Sequence, residues 1–152
     1  MIQVGKQCIT RKGFTLVEAL LVLALLAIVV AISMPLYQNL QVRTDLNNQA
    51  NITAQTLRRA QALARAGNND SAWGVLIASS SINLFSGNSY AARDINYDEV
   101  FSLPNSISPA TSTELVFSKY WGLPNATATV TFYSVNNESR ILGVNSQGTI
   151  NY

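Results

Sequence analysis

The chain has 152 residues, a formal net charge of +2, one cysteine and no histidine. That length predicts a single domain, and the lack of histidine excludes the commonest nucleophile–base pairs. Charged residues make up only 12% of the chain, which is low for a cytoplasmic domain and suits an exported surface of neutral polar groups.

Basic residues open the chain: Lys6, then Arg11-Lys12-Gly13. From Phe14 to Met34 the sequence is almost entirely apolar, 21 residues in a row. At helical rise this run reaches about 30 Å, the thickness of a bilayer's hydrocarbon core. Cations ahead of an apolar helix stay on the cytoplasmic side, so the rest of the chain is expected outside. Glu18 interrupts the run, and a carboxylate at membrane depth is a functional-site candidate. The run is too long for the core of a secretory signal peptide, although Ala31-Ile32-Ser33 resembles such a cleavage site. A plain membrane anchor explains the length but not Glu18 or the Lys-Gly-Phe junction.

Arg11-Lys12-Gly13-Phe14-Thr15-Leu16-Val17-Glu18 resembles the processing site of type IV pilins and the pseudopilins of type II secretion. The resemblance implies a leader of residues 1–13 that a prepilin peptidase removes between Gly13 and Phe14. It implies N-methylation of Phe14, an assembly carboxylate at Glu18 and a helix kink at Pro35. It also implies that other pilins or pseudopilins and an inner-membrane assembly platform are partners. Leader removal takes away Lys6, Arg11 and Lys12, leaving seven basic residues against eight acidic ones. The basic balance is therefore no sign of nucleic-acid affinity. The single Cys8 leaves with the leader.

Residues 36–66 are expected to continue the helix. Leu36, Leu40, Leu46, Ala50, Leu57, Ala60 and Ala64 recur on one face, and Thr56 to Ala66 are good helix formers. Arg65 complements the C-terminal dipole and Gly67 supplies a left-handed cap. The expected domains are thus 14–35 as transmembrane and assembly helix, 36–66 as amphipathic helix, and 67–152 as a β head.

After Gly67 the period changes to two. Strands are predicted at 73–78, 82–85, 100–103, 115–117, 128–135, 140–144 and 149–152, the last two flanking a hairpin that closes on Gly148. Residues 88–98 read as a loop. The fold class is α+β, a long helix packed on antiparallel sheet. The order of these parts is similar to the H-type minor pseudopilins and their type IV pilus relatives (the GspH/FimT class). Unlike many major pilins, the chain has no disulfide-bonded C-terminal loop.

Three further groups merit weighing. Asp94, Asn96 and Asp98 follow the start of a calcium loop, but Glu99 stands where glycine belongs and Asn105 where the closing glutamate belongs. Calcium is known in some pseudopilins; a solvated polar loop is the simpler reading, and no cofactor is expected. Arg58, Arg59 and Arg65 lack the lysine-rich or aromatic setting of a nucleic-acid site and read as a solvated face. Trp73, Trp121 and Phe132 read as core.

The sequence thus reads as a structural subunit and not an enzyme: a minor pseudopilin or pilin, single-pass in the inner membrane, its head in the periplasm or on an extracellular filament. The alternatives are a major type IV pilin, or a minor pilin acting as adhesin or DNA receptor.

Overall fold

A computed structural model describes residues 13–152, without the side chains of residues 32–36. Most of the leader therefore lies outside the described residues. The chain divides into two compact units, Met1–Tyr37 and Gln38–Tyr152.

One helix, α1, runs Leu16–Arg65 and contributes to both units. Its backbone stays helical through Pro35, so the proline does not end it. The Pro35 side chain and the kink expected there lie outside the described residues. In the first unit the described apolar side chains are exposed on every side of the helix, from Leu16 through Leu20, Leu23 and Leu26 to Val30.

In the second unit α1 becomes amphipathic. Leu46, Ala50, Ala54, Leu57, Ala60 and Ala64 are buried, while Asn48, Asn51, Gln55, Arg58 and Ala62 face solvent. The buried face starts later than the sequence predicts, because Leu40 is 57% exposed. Gln49, Thr53 and Thr56 are buried too, and the threonine hydroxyls donate to the carbonyls of Gln49 and Ile52 one turn back. That back-bonding lets hydroxyls sit inside a packed helix face. The helix ends at Arg65, and Gly67 turns the chain away from it with φ 65°. A Cβ there would meet the Tyr120 ring.

Among the described residues eight antiparallel strands follow, in two four-stranded sheets, which makes the fold α+β as expected. The strands are β1 (Trp73–Ile77), β2 (Ser81–Ser86), β3 (Asp94–Ser102), β4 (Ile107–Pro109), β5 (Thr113–Phe117), β6 (Ala128–Ser134), β7 (Ser139–Val144) and β8 (Ile150–Asn151). The first sheet has the order β3-β2-β1-β5 and the second β4-β6-β7-β8. The chain passes from the second sheet back to the first between β4 and β5. Ala110 N–H donates to Thr131 O in β6 at 2.8 Å, and two residues later Ser112 Oγ donates to Ile77 O in β1 at 3.1 Å.

The core forms where the buried face of α1 meets both sheets. Val75, Ile77, Leu84 and Phe117 come from the first sheet, and Val130, Phe132, Leu142 and Val144 from the second. In β6 the alternation is clean: Val130, Phe132 and Ser134 point in while Tyr133 points out, as expected for a sheet with one solvated face. A smaller cluster of Ala72, Phe85 and Val116 packs with Leu76 and Tyr90.

Two sequence expectations change here. The segment read as a loop up to Asp98 is strand from Asp94 onward, where β3 begins and pairs with β2. β4 was not foreseen; it has three residues, ends in a proline and lies at a sheet edge, where a missing N–H is tolerated.

Candidate functional site

The N-terminal segment is built around a helix start. Gly13, Phe14 and Thr15 are non-helical and the helix begins at Leu16. Thr15 is the cap: its Oγ1 accepts the Glu18 N–H at 3.2 Å and its carbonyl accepts the Ala19 N–H at 3.1 Å. Glu18 is the acid of the first turn, where the free N–H groups and the helix dipole favour a negative charge. Thr15-Leu16-Val17-Glu18 therefore has the spacing of a capping box, a local signal that the membrane-depth argument for Glu18 passed over. Phe14 is 81% exposed. Gly13 is also exposed, and a Cβ added to it would touch nothing within 4 Å. Among the described residues no steric feature requires glycine there.

The described apolar side chains of this stretch are exposed, and exposed apolar surfaces of this extent mark contact with protein or membrane. Among the described residues no helix is long and apolar enough to cross a membrane. The described apolar side chains of this stretch end at Ala31, and the sequence adds Ile32 and Met34 beyond them.

The acidic cluster of β3 is occupied from within. Asp94 Oδ1 accepts from the Asn96 backbone N–H at 3.1 Å and from Asn96 Nδ2 at 2.9 Å. Asp98 Oδ2 accepts from Arg93 Nε at 2.7 Å, and the Arg93 guanidinium also stacks 3.8 Å over the Tyr90 ring. The hydrogen bond to Asp98 raises the Arg93 pKa above its ordinary value. Glu99 pairs with Arg59 of α1 at 2.6 Å. Asp94, Asn96 and Asp98 thus lie along a strand and not in a ligand loop. Among the described residues no group of three or more His, Cys, Asp or Glu is placed to hold a metal ion.

The arginines of α1 serve the head itself. Arg58 lies 5.4 Å over the Tyr152 ring, and Arg65 Nε donates to Trp121 O at 3.4 Å. Of the three aromatics read as core, Trp73 and Phe132 are buried but Trp121 is 76% exposed. Its neighbours Gly122 and Pro124 are turn residues, a signal that pointed away from the core.

Residues 10–34 match the family model described as the prokaryotic N-terminal methylation motif. No curated protein and no solved structure gives a significant match to the chain. The chain thus carries a type IV pilin-like N-terminal signal, which points to a structural subunit.

Proposed function

We propose that this chain is a minor pseudopilin or pilin of the H type, a structural subunit that assembles through its N-terminal helix into a type II secretion pseudopilus or a type IV pilus. The observation that carries the reading is the methylation motif at residues 10–34. The open surroundings of Gly13 support it, because a glycine that the fold does not require fits recognition by a processing enzyme. In this reading a prepilin peptidase cuts between Gly13 and Phe14 and the new amine of Phe14 is methylated. Residues 14–35 hold the precursor in the inner membrane as a single span, with the head on the periplasmic side. During assembly the Glu18 carboxylate neutralises a Phe14 ammonium, its own or a neighbour's, while the apolar helix faces pack. An inner-membrane platform drives the subunit out of the membrane.

Mass spectrometry of the protein isolated from its host tests the first step. The expected N-terminus is methylated Phe14. Retention of Met1, or a start near Met34, removes the basis of the proposal.

A further inference from the structure

We propose that residues 38–45 of α1 form a releasable arm of the head, held by a polar latch that opens while the core stays closed. The arm is weak as a helix. Its sequence, Gln38-Asn39-Leu40-Gln41-Val42-Arg43-Thr44-Asp45, holds four poor helix formers in eight residues: Asn39, Val42, Thr44 and Asp45. Thr44 Oγ1 donates to Leu40 O at 2.9 Å, a back-bond that slightly destabilises a helix and bends it. Packing does not anchor the arm either. None of its eight side chains is buried, and the buried face of α1 begins only at Leu46.

What ties this stretch to the head is a ladder of exposed polar contacts. Asn136 Nδ2 donates to Asn39 Oδ1 at 3.2 Å, Arg43 Nε lies 3.7 Å from Glu138 Oε2, and Arg140 Nε donates to Asn47 Oδ1 at 2.8 Å. Asn39, Arg43 and Asn47 stand four apart, on one stripe of the helix. Asn136, Glu138 and Arg140 are every second residue of the turn between β6 and β7 and of the start of β7. Four helical residues rise about 6 Å and two extended residues about 6.7 Å, so the two rows stay in step. The rung at Asn47 sits beside Leu46, at the edge of the core; the rungs at Asn39 and Arg43 hold the arm itself. A further contact, from Ser106 Oγ to Asp45 Oδ2, is long at 3.5 Å.

The turn side of the ladder is fixed. Ser134 N–H donates to Glu138 O at 2.9 Å, and Asn137 N–H donates to Ser134 O at 3.0 Å. Opening therefore moves the arm and not the turn. Contacts between solvated side chains trade readily with water and each contributes little, so they set the arm's position without locking it. Closed, the latch fixes the direction of the arm against the β6–β7 turn. Open, the arm bends away about Leu46, and every buried contact of the head is kept. This device uses no residue of the first unit and stands apart from the N-terminal reading.

Hydrogen exchange of the full chain in detergent, read peptide by peptide in the mass spectrometer, tests the arm. Local opening of this kind is expected to make the amides of residues 40–45 exchange about ten-fold faster than those of 50–64, or more. Arg43→Glu keeps a good helix former and sets two carboxylates against each other across the latch. It should speed exchange in the arm several-fold further and leave residues 50–64 and the melting temperature of the head unchanged. Adding Glu138→Arg re-forms the pair with its signs reversed and should restore the parent rate. Arm amides as protected as those of 50–64 would overturn the proposal. So would an arm rate that Arg43→Glu leaves unmoved or Glu138→Arg does not restore, or faster exchange that spreads into the core.

Discussion

Glu18 stands at the third position of a capped helix, and its charge has two possible uses with different signatures. Toward its own helix it complements the free N–H groups of the first turn, an effect of about 0.3–1 kcal/mol. Toward another subunit it meets an ammonium in low dielectric, where an unpaired charge costs about 3–5 kcal/mol. Glu18→Gln keeps the size and removes the charge. If assembly is the role, the variant inserts and is processed normally but is missing from sheared filaments at matched expression; normal incorporation would leave only the capping role. Thr15→Ala removes the observed cap and is expected to cost about 1 kcal/mol of helix stability, read by helicity of the isolated N-terminal peptide in micelles. At the other end of α1, Lys119 hydrogen-bonds Asp70 and holds its carboxyl below the ordinary value, while Asp70 holds the Lys119 ammonium above its own. The Asp70 contribution is therefore present above about pH 4 and lost as pH falls through the lowered value; the Lys119 contribution is present below about pH 10 and lost as pH rises through the raised one. Lys119→Gln should destabilise by a small, constant amount between these limits, and the gap to the parent should close in acid. Asp70 is 84% exposed at its side chain, so solvent keeps the effect small. Parallel urea titrations across pH check both the window and the sign.

At the scale of elements, the end of α1 depends on a close approach. Gly67 is left-handed and lies under the Tyr120 ring. Gly67→Ala adds left-handed strain of about 1–2 kcal/mol and displaces the ring, so the midpoint of urea denaturation should fall by at least that equivalent. The sequence announced this helix end well, because Arg65 and Gly67 act through local backbone chemistry. It announced β6 equally well, where Val130 and Phe132 alternate with polar neighbours. It found only the end of β3, from Val100, and missed the Asp94-Ile95-Asn96-Tyr97-Asp98 run, whose acidic and amide residues have little intrinsic strand preference. There the strand is set by its pairing with β2 and by Arg59 and Arg93 drawing off the acidic charge, and of the two arginines Arg59 comes from α1, outside any local window. The N-terminal motif was legible because its information lies in eight consecutive residues. Trp121 was misread because residue type was weighed above the turn residues around it.

At the scale of the whole molecule, the second unit has its own core drawn from α1 and both sheets. A fragment of residues 38–152 is expected to be folded without detergent, with mixed helix and strand by circular dichroism and a cooperative melt. An unfolded spectrum would mean that the head needs the preceding helix. No local signal in the sequence told one sheet from two, because β1 joins β5 across some forty residues and β4 finds β6 across more than twenty. The crossing between Ala110 and Ser112 has a further effect. Since β4 lies before it and β6 to β8 after it, while β1 to β3 lie before it and β5 after it, a single nick at residues 110–112 severs both sheets at once. Neither resulting piece holds a complete sheet, so the halves should remain associated after proteolysis and separate only in denaturant. The head is in this sense interlaced, and it is expected to come apart as one body and not sheet by sheet.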